Sequence, residues 1–195
     1  MSELDAQIFR IFYDGWGGQL TWLALVLTTI GGGWAMLLLL PMYAVEKWRA
    51  LAVTLTATVV ASAGAVFVLK HIVKRVRPCN LLDGVHALCA TPTDASFPSG
   101  HSCGSFTLVA FAVVVLNGSE SHGLSRVQRV LISSALILLA VSVAWSRVYL
   151  GVHFPGDVTA GATLGTVAGG LGGWVYLNKV RGRYEAPVAD AVADP

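Results

Sequence analysis

The sequence has few charged residues. Asp, Glu, Lys and Arg make up 12% of its 195 residues, whereas 55% are hydrophobic and the mean hydropathy is +0.67. A soluble domain usually contains about 25% charged residues, so this chain has about half of the charge that a water-exposed surface needs. A surface that faces lipid needs none. The composition therefore predicts a membrane protein with several spans.

Cysteine is also scarce, and basic residues are not interleaved with aromatic ones. The three cysteines are too few for a dense disulfide scaffold, and the chain has neither CxxC nor HExxH spacing, so a zinc site is not favoured. Cys79 and Cys89 share one segment between apolar runs. A disulfide in an oxidising compartment and two free thiols are both open interpretations. The net charge of +2 without a basic-aromatic stripe predicts no nucleic-acid partner.

The apolar runs predict an all-α bundle of six membrane spans, preceded by a short interfacial helix at residues 4–13. Residues 16–45 would extend about 45 Å as a helix at ~1.5 Å per residue, which is too long for one upright span. Two tilted spans that turn at Gly31–Gly33 are predicted there, with a five-span arrangement as the alternative. Four further spans are predicted at residues 50–73, 99–116, 127–145 and 158–177. The prediction is one domain at 1–184 and a disordered tail at 185–195.

Basic residues near the span ends predict the orientation. With six spans and both termini in the cytoplasm, eight Lys and Arg residues lie inside and five outside, in agreement with the positive-inside tendency. The five outer residues are Lys70, Lys74, Arg75, Arg77 and Arg147. All five lie in or beside the motifs described below. We therefore expect a multi-pass protein of the cell membrane whose functional site faces the extracytoplasmic side.

The last predicted span carries a stripe of glycines at four-residue intervals. The stripe consists of Gly161, Gly165, Gly169 and Gly173. A face of small residues allows another helix to approach closely. Packing within the monomer is expected, and a homodimer interface is the alternative.

Two cations define the first motif. Lys70 and Arg77 lie seven residues apart, about two helical turns, near the end of a predicted span. One interpretation is that both side chains anchor the helix end at the membrane surface. The other is a phosphoryl-binding site, because Pro78 disfavours helix at Arg77 and a guanidinium fixed there offers two parallel donors.

The second motif is Pro98-Ser99-Gly100-His101, which precedes an apolar run. Ser99 is expected to cap a helix, and Gly100 allows a ligand to approach the backbone where free amides attract anions. An ordinary capped helix is the alternative. His101 favours the functional interpretation, because a histidine in the first turn of a span is costly unless it lines a polar cavity.

The third motif places a cation, a histidine and a carboxylate around the predicted fifth and sixth spans. Ser146-Arg147 ends the fifth span, and His153 and Asp157 flank the start of the sixth. Because His153 and Asp157 are four residues apart, the carboxylate is expected to orient the imidazole and leave its other nitrogen free to attack. An incidental pair is the alternative. In the six-span topology, all three motifs lie at one membrane face.

Together the motifs KxxxxxxRP, PSGH and SRxxxxxHxxxD resemble the signature of the type-2 phosphatidic acid phosphatase superfamily, with every motif position matched between about residues 47 and 177. The resemblance implies that His153 is a nucleophile forming a phosphohistidine, that Asp157 supports it and that His101 is the general acid. It also implies that no metal or other cofactor is used. It further implies that the phosphoryl oxygens bind Lys70, Arg77, Ser99, Gly100 and Arg147.

The sequence therefore predicts metal-independent dephosphorylation of a membrane lipid phosphate or pyrophosphate. The small size resembles bacterial members that act on undecaprenyl pyrophosphate, and phosphatidylglycerophosphate and phosphatidic acid are the alternative substrates. A vanadate-dependent haloperoxidase has a similar site, but those enzymes are soluble and the apolar spans argue against one. A lipid-binding or transport protein on the same scaffold is the other alternative, against which intact His101, His153 and Asp157 argue.

Overall fold

The computed structural model describes residues 3–14, 18–118 and 123–184. Within these ranges all regular structure is helical, which confirms the predicted all-α class. The predicted tail at 185–195 lies outside the described residues. The helices are α1 (Glu3–Asp14), α2 (Thr21–Ile30), a 3-10 helix (Gly33–Leu39), α3 (Leu40–Ala44), α4 (Glu46–Val73), a 3-10 turn (Pro78–Asn80), α5 (Gly100–Gly118), α6 (Arg126–Tyr149), α7 (Pro155–Val175), a π-helical turn (Tyr176–Val180) and α8 (Arg181–Tyr184).

Three helical segments of the described chain are long and apolar enough to cross a membrane. They are Glu46–Asn80, Gly100–Gly118 and Arg126–Tyr149, and they coincide with the predicted third, fourth and fifth spans. The predicted sixth span corresponds to α7. Its 21 residues extend about 32 Å at ~1.5 Å per residue, but α7 is not among the three segments that are apolar enough to cross.

The N-terminal part differs from the predicted pair of spans. α2 has only 10 residues, about 15 Å at ~1.5 Å per residue, which is half of a hydrocarbon core of about 30 Å. The helix ends at Gly31, where the glycine run predicted a turn, and a 3-10 helix follows instead of a second long helix. A side chain at Gly31 would collide with Val143 of α6, so this turn is packed into the bundle. The count of six spans is therefore not confirmed.

Helix α5 lies at the centre of the bundle, in contact with α4, α6 and most extensively with α7. The glycine stripe of α7 makes this close packing possible. A Cβ atom on Gly161, Gly165 or Gly169 would collide with a backbone carbonyl oxygen of α5 or of its cap, Ser99. The stripe is buried against the same chain, as the monomer interpretation predicts, and is not exposed for a second copy.

Helix α1 packs against the end of the bundle that carries the motifs. Phe9 is fully buried, stacks on Tyr13 at 5.4 Å between ring centroids and lies 5.6 Å from the ring of Phe154. In contrast, Leu4 and Ile11 of the predicted apolar side are exposed. The apolar contacts of the helix with the protein therefore include Phe9 and Tyr13, and Asp5 adds polar contacts described below. Its interfacial position in a membrane stays a prediction, in which the exposed apolar side would face lipid.

Candidate active site

The third motif places a completely buried carboxylate at the start of α7. Asp157 accepts three hydrogen bonds: Ser96 Oγ and the backbone N–H of Phe154 donate to Oδ2 at 2.5 and 2.9 Å, and Arg75 Nη1 donates to Oδ1 at 2.7 Å. The Phe154 bond is part of the helix cap, so the start of α7 itself fixes the side chain. The other two donors come from distant parts of the chain and hold the carboxylate rigidly.

His153 lies between this carboxylate and a cation. Its Nδ1 is 3.6 Å from Asp157 Oδ2 and 3.4 Å from Ser96 Oγ, whereas its Nε2 is 3.2 Å from Arg77 Nη1. A guanidinium only donates hydrogen bonds, so the contact with Arg77 assigns the lone pair to Nε2 and the proton to Nδ1. The distance of 3.6 Å is longer than a hydrogen bond. Asp157 therefore faces the imidazole, and Ser96 lies against both groups.

The surroundings of His153 keep its imidazole neutral. The side chain is only 2% exposed, and burial lowers its pKa to about 4. The positive charges of Arg77 and Arg147 act in the same direction, while the negative charge of Asp157 opposes them. A neutral imidazole with its lone pair on Nε2 is the form required of a nucleophile.

The two cations of the first motif meet a carboxylate from the segment before α5. Lys70, in the last turn of α4, forms an ion pair with Asp94 at 3.1 Å, and Arg77 binds the other oxygen of Asp94 at 2.6 Å. Arg77 is 3% exposed and also donates to the carbonyl oxygens of Asp94, Ala95 and Val152. The hydrogen bonds from Lys70 and Arg77 lower the pKa of Asp94, against an opposing effect of burial.

The second motif forms the start of α5 beside His153 and Asp157, which are called the dyad below. The Oγ of Ser99 accepts a hydrogen bond from the N–H of Ser102, which is the predicted cap, and the N–H of Ser99 donates to the carbonyl oxygen of Asp157 at 3.0 Å. A Cβ on Gly100 would meet its nearest neighbour, Val66, only at 3.9 Å, so protein packing does not require glycine there. His101 lies in the electrostatic field of Arg77, Arg147, His153 and Lys70 and lines a cavity of about 170 Å³.

Arg147 is a buried cation without a carboxylate partner in the described part of the chain. Its side chain is 4% exposed at the end of α6, and Nη1 donates to Thr28 Oγ1 of α2. Its Nε is buried and has no hydrogen-bond partner among the described residues. Burial of an unpaired charge is costly, so such a guanidinium is typical of a site that binds an anion.

Sequence reasoning missed the functional side chains that hold the dyad from outside the motif positions. Arg75, in the spacer between Lys70 and Arg77, stacks on Phe154 at 4.3 Å and forms ion pairs with Asp157 and with Asp5 of α1. Asp5 in turn accepts from the N–H of Gly156 at 2.8 Å. The only sequence signal for Arg75 was its place among the outer basic residues, and nothing local distinguished Ser96, Asp94 or Thr28.

The His, Cys, Asp and Glu side chains bear on metal binding, and the cysteines bear on disulfide formation. Within the described ranges, no group of three or more His, Cys, Asp or Glu side chains gathers as a metal site would require. Of the two interpretations of Cys79 and Cys89, the structure shows free thiols and not a disulfide. The buried Cys103 is also a free thiol.

The three motifs lie within a region that matches a known protein family. A family model described as the PAP2 superfamily matches residues 48–181, which contain all three motifs and every predicted site residue. The chain belongs to the PAP2 superfamily. Its predicted relationship is therefore confirmed.

Several PAP2 relatives are named as phosphatases. An undecaprenyl-diphosphatase of Sulfolobus acidocaldarius is 34% identical over 121 residues, 62% of this chain and 53% of that protein. A decaprenylphosphoryl-5-phosphoribose phosphatase of Mycobacterium tuberculosis is 30% identical over 145 residues, 71% of this chain and 69% of that protein. The chain thus spans about half the length of the first relative. The crystal structure of Aquifex aeolicus LpxE has a TM-score of 0.70 at 27% identity and covers 88% of this chain and 95% of that one.

Proposed function

We propose that this PAP2 protein hydrolyses a membrane lipid phosphate or diphosphate through a phosphohistidine. The observation that carries the proposal is the environment of His153: Nδ1 faces Asp157 and Ser96, and Nε2 faces Arg77 at 3.2 Å. The lone pair of Nε2 therefore points toward Arg77, the cation that would hold the phosphoryl group. Arg147, buried without a carboxylate partner in the described chain, supports the same anion site.

In the proposed reaction, the Nε2 lone pair of His153 forms a bond to the terminal phosphorus as the bond from that phosphorus to the leaving oxygen breaks. The leaving oxygen is the bridging oxygen of a lipid diphosphate or the alkoxide oxygen of a lipid monophosphate. His101 donates a proton to that leaving oxygen, which is worth about 10²–10⁴ in rate for a poor leaving group. Water then attacks the phosphohistidine, His101 accepts its proton, and the N–P bond breaks to release phosphate. The equatorial oxygens are held by Lys70, Arg77, Arg147, the Ser99 hydroxyl and the backbone amide of Gly100.

The proposed substrate is undecaprenyl diphosphate, as in the named activity of the Sulfolobus relative. Phosphatidylglycerophosphate and phosphatidic acid are the alternatives, because the motif residues contact only the phosphoryl group. We further propose that the site faces the extracytoplasmic side of the cell membrane. The lipid bilayer is then the partner of the apolar helix faces, and a homodimer stays a prediction.

Release of phosphate from a panel of these three lipids in detergent tests the proposal, with and without EDTA. We expect release by the wild-type protein with EDTA present, and loss of release in His153→Ala. His86→Ala is the matched control, because His86 is exposed and contacts Tyr13 only through its backbone atoms.

Two outcomes would contradict the proposal. Activity abolished by EDTA and restored by zinc would contradict the metal-independent mechanism. Lipid binding by the wild-type protein without any phosphate release would instead indicate the lipid-binding or transport alternative.

A further inference from the structure

The carboxylate of Asp94 occupies the position where an anion would bind two of the phosphoryl-binding cations. One oxygen lies 3.1 Å from Lys70 Nζ and the other 2.6 Å from Arg77 Nη2, so the carboxylate bridges both cations. These are the distances at which a guanidinium and an ammonium bind oxygens of a phosphoryl group. The Asp94 side chain is 55% exposed, so solvent gives it room to leave.

The carboxylate is not needed to hold the cations in place. Arg77 Nε donates to the backbone carbonyl of Asp94 at 2.9 Å, Nη1 to that of Val152 at 2.8 Å and Nη2 to that of Ala95 at 3.3 Å. Lys70 Nζ also donates to the carbonyl of Ala95. Main-chain atoms therefore fix the positions of both cations independently of the Asp94 side chain. The carboxylate is an additional anion on cations that are already positioned.

We propose that the carboxylate of Asp94 is a resident anion at the phosphoryl site, and that a phosphoryl group binds by displacing it from Lys70 and Arg77. This inference rests on the proposed function for the identity of the incoming ligand, a phosphate monoester, diphosphate or orthophosphate.

Competition between the resident and the incoming anion has a defined consequence. The apparent affinity for the ligand is reduced by the fraction of molecules in which the carboxylate has left the cations. Orthophosphate, the product, must meet the same competition, so the return of Asp94 to Lys70 and Arg77 favours its release. The residue thus lowers affinity for substrate and product alike, while the nucleophile at His153 is untouched.

The inference is tested with Asp94→Asn, which removes the charge and preserves the shape. We expect the inhibition constant of orthophosphate to fall about three- to tenfold and KM to fall in parallel, with a smaller change in kcat. Asp83→Asn is the matched control, since Asp83 is an exposed acid in the same segment and no ion pair of it with Lys70 or Arg77 is present. Asp94→Ser should reproduce the tighter binding and guards against a defect particular to asparagine.

A second measurement does not depend on turnover. The rise in unfolding temperature produced by orthophosphate reports its binding directly, and it should be larger for Asp94→Asn than for the wild-type protein. Equal or weaker phosphate binding in both Asp94 variants would overturn the inference and indicate a supporting role. If the wild-type protein does not dephosphorylate lipids but orthophosphate still binds more tightly to Asp94→Asn, the proposed function is overturned. The inference that Asp94 is a resident anion would then still hold.

Discussion

At the scale of single residues, Ser96 connects the carboxylate and the imidazole of the dyad. Its hydroxyl donates to Asp157 Oδ2 at 2.5 Å and lies 3.4 Å from His153 Nδ1. A hydrogen bond to a charged group contributes about 1.5–3 kcal/mol, which corresponds to about 10- to 100-fold in rate if it is needed to orient the dyad. We expect Ser96→Ala to reduce kcat by this factor with little change in KM, measured by steady-state phosphate release.

A buried serine elsewhere in the bundle gives the control for this prediction. Ser105 is buried, and its Oγ has no hydrogen-bond partner among the described residues. Ser105→Ala should therefore retain the wild-type kcat. A large rise in KM in Ser96→Ala, with unchanged kcat, would show that Ser96 acts on substrate binding and not on the dyad.

The lowered pKa of His153 predicts a pH dependence of stability. In the unfolded chain this histidine takes up a proton below about pH 6.5, whereas in the folded protein burial delays protonation until about pH 4. The unfolded state therefore binds more protons between these values, and the free energy of unfolding falls as the pH decreases from 6.5 to 4. Unfolding temperatures in detergent should show this decrease in the wild-type protein and a smaller one in His153→Gln.

The lowered pKa of His153 also predicts how enzyme activity declines at acidic pH. Because the nucleophile must be neutral, kcat/KM should decline only near pH 4 on account of His153, after correction for ionisation of the substrate. A fall in kcat/KM near pH 6.5 that chemical modification traces to His153 would contradict the conclusion that burial lowers the pKa of this histidine.

At the scale of helices, the contact of α7 with α5 positions His153 and Asp157 beside Ser99 and Gly100. A Cβ on Gly165 would collide with the carbonyl oxygen of Cys103 and lie 3.0 Å from Phe106 Cβ, whereas a Cβ on Gly170 meets open space. We expect Gly165→Ala to destabilise the protein by about 1–3 kcal/mol through overpacking. Gly170→Ala, on the same helix, should stabilise it by up to about 1 kcal/mol.

Thermal unfolding in detergent compares the two variants, and phosphate release measures whether the site is disturbed. Similar unfolding temperatures for Gly165→Ala and Gly170→Ala would contradict the close packing of α5 and α7.

At the scale of the whole molecule, four helix ends converge on one end of the bundle. Arg77 after α4 contacts His153 between α6 and α7, and Ser99 before α5 contacts Asp157 of α7. The convergence fixes which residues share a membrane face, and the proposed orientation makes that face extracytoplasmic. A cysteine at Thr91, exposed in the segment before α5, should then react in intact cells with a membrane-impermeant thiol reagent.

The control is a cysteine at Arg126, at the opposite end of α6, which should react only after the cells are opened. Both variants, Thr91→Cys and Arg126→Cys, are made in a background in which Cys79, Cys89 and Cys103 are replaced by alanine. Labelling of Arg126→Cys alone in intact cells would reverse the proposed orientation.

The sequence predicted α4, α5, α6 and α7 well, because long apolar runs between polar motifs are a strong local signal. The two spans predicted at residues 16–45 are not confirmed, because an apolar pattern does not distinguish two long helices from the short α2, which packs against α6, and the 3-10 helix that follows it. The candidate site shows the same contrast between local features, which the sequence predicts, and long-range contacts, which it does not. The proximity of His153 and Asp157 was predictable because their four-residue spacing is local, whereas the partners of Asp157 in Ser96 and Arg75 lie 61 and 82 positions away.

By itself the sequence determined the helical membrane class, the superfamily and the eight motif residues, since hydropathy and motif spacing are properties of short segments. Only the tertiary structure decided that Ser96 and Arg75 hold the dyad, that Asp94 bridges Lys70 and Arg77 and that the glycine stripe packs within the chain. The physical reason is that each of these roles depends on a contact between distant segments. The packing of α5 against α7 and the convergence of the helix ends create those contacts.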